Sequence, residues 1–223
     1  MTILKPTIII FDMDGTTVRH INPRLLHILE KVDDVMYRFG DREKKIDYRV
    51  DLKSERRPHL LVHRVLHKFR RKPVEQIVEP YLGVREVLEY IQSLNIPTAI
   101  VSNGLGRGYG FDILEKFDLA KYFKAKIFRE DFTEAKPHPE PLLNALKAMN
   151  LEVTSNDVIW CIGDRRKDIL AAIALEQVLG CKVEPLSFGM EAAISILKNK
   201  ISTDHIITSY SELQLKLKDL FTT

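Results

Sequence analysis

The 223-residue chain carries 34 Lys and Arg against 31 Asp and Glu, a formal net charge of +3, with 45% hydrophobic and 29% charged residues. These proportions suit a water-soluble globular protein, and no run approaches the ~20 apolar residues of a membrane span. Two cysteines, Cys161 and Cys181, exclude a disulfide framework and lack metal-ligand spacing, so a reducing, cytoplasmic setting is expected.

At the start of the chain, Lys5 and a strand bounded by charges do not read as a signal peptide. Thr7-Ile8-Ile9-Ile10 is a β-branched run that reads as a short buried strand, and Gly15 ends the following segment in a sharp turn. Between them stand Asp12 and Asp14, two carboxylates just past a strand, where open α/β sheets place their chemistry. Held close together they repel, so burying them bare is costly. A divalent cation with oxygen ligands relieves that cost. A turn with two solvated acids is the simpler alternative.

The pattern then turns helical. Asn22-Pro23 reads as a helix start, and Leu25, Leu26, Ile28, Leu29, Val32, Val35, Met36 and Phe39 recur at helical spacing up to Gly40. Residues 41–57 are dense in charge and read as a loop or weak helix. Pro58 opens a second helical run, and Val74 to Tyr81 reads as a short return segment. No strand is expected here. The division is therefore an α-helical cap domain over residues 19–82, inserted in a core domain of residues 1–18 and 83–223. The cap holds 16 Lys and Arg against 10 Asp and Glu, and five of the seven His, beside a core of net charge −3. Such a contrast suits an anion handled between the two parts, and equally an ordinary solvated helical surface.

From Val84 helices and strands alternate. Helices are expected at 84–94, 111–117, 140–149, 169–178, 191–197 and 211–220, and strands at 97–101, 125–128, 158–162, 183–188 and 205–207. Strand–helix repetition with nearly continuous apolar strands implies an α/β fold, a doubly wound parallel sheet with helices on both faces. Several strands end in polar groups. Ser102-Asn103-Gly104 follows one, Lys136-Pro137-His138-Pro139 precedes a helix, and Gly163-Asp164-Arg165-Arg166-Lys167-Asp168 follows another. A hydroxyl and turn amides are hydrogen-bond donors to an anion, and a lysine beside a carboxylate keeps it ionised. His138 reads as surface. Gly104 to Gly110, with four glycines in seven residues, has no role assigned by the pattern.

In order and position, Asp12-Met13-Asp14-Gly15-Thr16, Ser102, Lys136 and Gly163-Asp164…Asp168 resemble the four motifs of the haloacid dehalogenase-like hydrolase superfamily. The likeness is to its phosphoglycolate phosphatase and β-phosphoglucomutase-like group, with a Rossmann-like core and an α-helical cap. It covers about residues 7–18 and 83–210; the cap matches only in type. The resemblance implies Asp12 as nucleophile, Asp14 as general acid/base, Ser102 and Lys136 as phosphoryl-binding groups, and Asn103 and Gly104 among the substrate contacts. It also implies Mg²⁺ held by Asp12, the Asp14 carbonyl and Asp164, with Asp168 acting directly or through water and steadying Lys136. Arg19 and His20 stand where relatives often have an Asp-Ser pair, which puts phosphoglycolate itself in doubt. Arg19, His20 and Arg57 are then candidates to meet an anionic leaving group.

The implied activity is a Mg²⁺-dependent phosphatase that hydrolyses a small phosphorylated metabolite through an aspartyl-phosphate. The alternatives are a β-phosphoglucomutase-type phosphomutase and, further off, a phosphatase of nucleotides or nucleic-acid ends. Nucleic acid is not expected as a partner, since the basic insert lacks an aromatic stacking cluster and carries ten interspersed acids. No membrane contact is expected, and the sequence leaves the oligomeric state open.

Overall fold

The computed structural model describes residues 3–21 and 73–222. In chain order the elements are β1 (Ile8–Asp12), β2 (Val18–His20), β3 (Val78–Pro80), α1 (Val84–Ser93), β4 (Thr98–Val101) and α2 (Arg107–Lys116). There follow β5 (Ala125–Ile127), α3 (Glu140–Ala148), β6 (Val158–Gly163), α4 (Arg166–Leu179), β7 (Lys182–Phe188), α5 (Met190–Lys198), β8 (Ile206–Ile207) and α6 (Tyr210–Thr222). Six strands form one sheet in the order β5-β4-β1-β6-β7-β8, with every neighbouring pair parallel.

The apolar run of β1 makes it the central strand, buried along its whole length. Alternation along the strand sends Ile9 and Phe11 to one face and Ile8 and Ile10 to the other. Trp160 and Ile162 of β6 join the first face, Ile159 and Cys161 the second. Over the first face pack Val87, Leu88 and Ile91 of α1, Ile113 and Leu114 of α2, and Leu213 and Leu217 of α6. Over the second pack Leu142 and Leu146 of α3 and Ala172 and Leu175 of α4. Both faces are covered, as a parallel sheet requires. The chain winds outward from β1 through β4 to β5, then crosses back to β6 and winds the other way. Strand order thus reverses beside β1, and the carboxyl ends of β1, β4 and β6 open onto one crevice.

The expected strands and helices of the core are present, with ends shifted by a few residues. The helix expected from Phe111 begins at Arg107, taking in part of the glycine-rich stretch. The absence of strands from 19–82 is corrected: β2 and β3 pair antiparallel, Arg19 against Glu79 and Val18 against Pro80. Three-residue strands are too short for alternation to register, and Pro80 argues against a strand in sequence. This ribbon runs across the expected start of the cap. Residues 22–72, which hold the two expected cap helices and Arg57, lie outside the described residues.

Two buried polar contacts tie distant parts of the core to the sheet. The Tyr210 hydroxyl at the start of α6 donates to the Thr16 carbonyl at 2.9 Å, fastening the turn after β1. On β7, Glu184 meets His205 with 2.5 Å between Oε2 and Nε2, and both side chains are buried. Burial pushes the Glu184 carboxyl up, but the hydrogen bond and charge of His205 outweigh it and hold the group below its ordinary value.

A carboxyl held low adds stability above its unfolded pKa and loses that contribution as it is protonated. Glu184→Gln is therefore expected to be less stable than the parent by about 1–3 kcal/mol near neutral pH. The gap should close as pH falls below the ordinary glutamate value of about 4.3. Denaturant unfolding at neutral and acid pH measures it, and a gap independent of pH contradicts this reading.

Candidate active site

At the carboxyl edge of the sheet, Asp12 is the last residue of β1 and is 7% exposed. Its Oδ1 lies 2.5 Å from the ammonium of Lys136, a buried side chain from the loop before α3. The same ammonium lies 2.7 Å from Asp168 Oδ1 and donates to the Val101 carbonyl at 3.2 Å. Asn103 holds the lysine loop: its amide donates to the Lys136 carbonyl at 3.0 Å and its Oδ1 accepts from the Lys136 N–H at 3.1 Å. That side chain is engaged with the protein, which leaves the Asn103 backbone as the part open to a ligand role. Asp168 accepts from the Arg165 N–H at 3.0 Å, capping the first turn of α4. A Cβ on Gly163 would collide with Asp168, so only glycine lets β6 end this close to the helix.

Asp164 follows β6 and completes the group. Asp12, Asp164 and Asp168 each offer an oxygen within 4.8 Å of the others. Gly15, at φ +82°, faces the Asp164 carboxylate where a side chain would collide. Asp164 Oδ2 lies 3.8 Å from Arg165 Nε, while its buried Oδ1 accepts no hydrogen bond among the described residues. Of the three crowded carboxylates, Asp12 and Asp168 share one lysine. Burial first, and then Asp168 and Asp14, push the Asp12 carboxyl up against the pull of Lys136. Burial, Asp12 and Asp168 push up Asp164 as well. Lys136 is held in its charged form by Asp12 and Asp168 in spite of burial. An oxygen-only donor set with excess negative charge and an orphaned carboxylate oxygen fits a hard divalent cation.

Asp14 is held differently. Its Oδ2 accepts from the Ser102 hydroxyl at 3.0 Å, and its Oδ1 lies 3.3 Å from His20 Nε2. Ser102 itself accepts from the Leu105 N–H at 3.1 Å. Burial raises the Asp14 carboxyl, but His20, Ser102 and Arg165 together hold it below the usual carboxylate range. The two carboxylates of the Asp-Met-Asp segment thus have opposite environments. Gly104 is exposed beside them; a Cβ there would lie 3.9 Å from Asp14 Oδ2.

The expected cap-entrance residues divide. Arg19 pairs with Glu79 across the β2–β3 ribbon at 2.8 Å and is largely exposed, rather than turning to the carboxylates. His20, one residue on, turns inward to Asp14. Its role was not legible, because it depends on β2, whose alternation places Val18 and His20 on one side and Arg19 on the other. His138 is exposed, as expected of a surface residue.

Comparison with known proteins fits this geometry. Residues 9–177, well over half of the chain, match the family model described as haloacid dehalogenase-like hydrolase. The chain belongs to that family. Among curated haloacid dehalogenase-like relatives, a phosphoglycolate phosphatase of Neisseria meningitidis is 30% identical over 153 residues, covering 68% of this chain and 61% of that protein. One from Photorhabdus laumondii is 29% identical over 130 residues, covering 58% of this chain and 51% of that protein. The chain thus spans between half and two thirds of the length of these relatives. Two solved structures share the fold: a haloacid dehalogenase-superfamily hydrolase from Ehrlichia chaffeensis (22% identical, TM-score 0.61, 99% of this chain and 100% of that one); and a family hydrolase from Deinococcus radiodurans with bound phosphate and sodium (18% identical, TM-score 0.62, 98% of each chain).

The carboxylate cluster yields a prediction that needs no substrate. Mg²⁺ at about 100 times its dissociation constant is expected to stabilise the protein by about 2.7 kcal/mol. For a domain of this size that is a rise in Tm of roughly 5–10 °C. Asp164→Asn should abolish the rise while leaving the Tm without Mg²⁺ unchanged or higher, since one repelling charge is gone. An undiminished rise in the variant contradicts a metal site at Asp164.

Proposed function

We propose that this chain is a Mg²⁺-dependent phosphatase acting on a small organic phosphate monoester through an aspartyl-phosphate at Asp12. The observation that carries the proposal is the buried Lys136 ammonium between Asp12 and Asp168, with Asp14 held apart by Ser102 and His20. Family membership supports the reading, as do relatives named phosphoglycolate phosphatase.

In this reading an Asp12 carboxylate oxygen attacks phosphorus in line, and the bond from phosphorus to the ester oxygen breaks. Asp14 gives its proton to that ester oxygen, and the alcohol leaves. Asp14 then takes a proton from water, whose oxygen attacks phosphorus and frees Asp12 and inorganic phosphate. For the first half Asp14 must be protonated. The negative phosphoryl group arriving beside it raises its pKa, opposing the contribution of His20 and Ser102. Lys136 and the amides near Met13, Asp14 and Asn103 bind the phosphoryl oxygens, whose charge spreads in the transition state. Asp12, Asp164 and the Asp14 carbonyl, with Asp168 directly or through water, would hold Mg²⁺, which supplies further neutralisation of phosphoryl charge.

The test is phosphate release from a panel of acid, sugar and nucleotide phosphates, phosphoglycolate included, with and without Mg²⁺. Asp12→Asn is expected to lower kcat by at least about 1000-fold, the scale on which a nucleophile or its equivalent is lost. Release that survives in Asp12→Asn, or wild-type silence across the whole panel, contradicts the proposal. Isomerisation of a sugar phosphate without net release would favour a mutase.

A further inference from the structure

The glycine-rich stretch, which the catalytic reading leaves unused, runs from Ser102 at the crevice into α2. Ser102, the hydrogen-bond donor to Asp14, leads through Leu105 into the first turn of α2. That turn is fixed on its other side. The Arg129 N–H donates to the Leu105 carbonyl at 3.0 Å, and the Arg107 N–H donates to Glu130 at 2.8 Å. A Cβ on Gly110 would run into the Phe128 ring, so glycine lets α2 lie directly on that side chain. Phe111 adds an edge-to-face contact with Phe128, with ring centroids 5.1 Å apart.

Tyr109 stands in this anchored first turn. Its ring packs against the larger core cluster, yet its hydroxyl is buried and has no hydrogen-bond partner among the described residues. A buried hydroxyl without a partner is unfavourable, and a ligand that supplies an acceptor recovers the loss. Burial pushes the phenol up to about 12, and the charges of Asp14 and Asp112 push in the same direction. The group is therefore a protonated donor within electrostatic reach of Asp14. Under the phosphatase reading, on which this inference rests, Asp14 marks the ester oxygen. What lies next to it is the leaving group.

We propose that Tyr109 is a specificity-determining residue, its hydroxyl donating a hydrogen bond to an acceptor oxygen on the leaving group of the phosphate ester. The favoured substrates are then esters whose alcohol carries a carboxylate or hydroxyl close to the ester carbon. Plain alkyl phosphates lack the acceptor and leave the hydroxyl unpaired, which is how a polar site rejects an apolar analogue.

The experiment compares wild type and Tyr109→Phe on 2-phosphoglycolate and glycerol phosphate against ethyl phosphate, with Tm recorded for both proteins. The variant should lose about 10- to 100-fold in kcat/KM on the acceptor-bearing esters, the scale of one hydrogen bond to a neutral or charged acceptor. It should keep its rate on ethyl phosphate and an unchanged or raised Tm. An equal loss on all three esters, or a lowered Tm with no change in substrate preference, assigns Tyr109 to packing and overturns the inference. So does no loss on any ester. Wild-type silence on every ester overturns the phosphatase reading along with this one, whereas wild-type turnover without the selective loss overturns only the role of Tyr109.

Discussion

The structure depends on one buried ion pair network, in which a single ammonium faces two carboxylates at the edge of a parallel sheet. Taking Lys136, Asp12 and Asp168 out of water costs several kcal/mol per charge unless each is met by partners. The partners are present: the Val101 carbonyl and both carboxylates for the lysine, and the Arg165 N–H for Asp168. Removing any one leaves a buried charge uncompensated, so the loop carrying Lys136 is bound to β1, β4 and α4 at once. The Asn103 side chain fastens that loop by the backbone of Lys136. The lysine leaves the third carboxylate, Asp164, outside its reach. That imbalance is one that a further cation would relieve.

The sheet makes this possible by reversing its strand order beside β1. The reversal places the ends of β1, β4 and β6 next to one another, so residues 12, 102 and 164 meet although the chain separates them widely. Within two residues the environment then changes sign. Asp12 is raised by burial and neighbouring carboxylates, while Asp14 is lowered by His20 and Ser102. For the proposed chemistry both shifts must be reversed: a bound cation would favour the ionised Asp12, and an arriving phosphoryl group the protonated Asp14.

Much of this was legible in the sequence, for a physical reason. Parallel strands of the core are buried on both faces, so each reads as an apolar run, and the polar residue that ends the run marks the crevice. Asp12 and Asp164 announce themselves in that way, whereas Ser102 in a common turn and Lys136 before a helix start stand out only through the resemblance to the family's motif order. The contacts that depend on a short strand or on a side chain's choice of partner were not legible. His20 reaches Asp14 only because β2 pairs with β3, nearly sixty residues away, and three residues carry no readable period. That the Asn103 side chain closes the Lys136 loop, leaving its backbone for any ligand contact, depends on such a choice of partner. The unpartnered hydroxyl of Tyr109 is invisible without packing, since nothing in a run of glycines tells which side chain the fold will bury.

The account's central claim is that Asp12 carries the phosphoryl group between the two half-reactions. The most direct measurement uses Asp14→Asn, which lacks both the acid for the first step and the base for the second, mixed with an aryl phosphate that the wild type hydrolyses and whose leaving group departs without protonation, quenched in acid and digested. The account predicts a hydroxylamine-sensitive phosphoryl group on the peptide that contains Asp12, formed at once and persisting. Wild-type turnover with no such phosphopeptide in the variant, or a phosphoryl group on another residue, would contradict it.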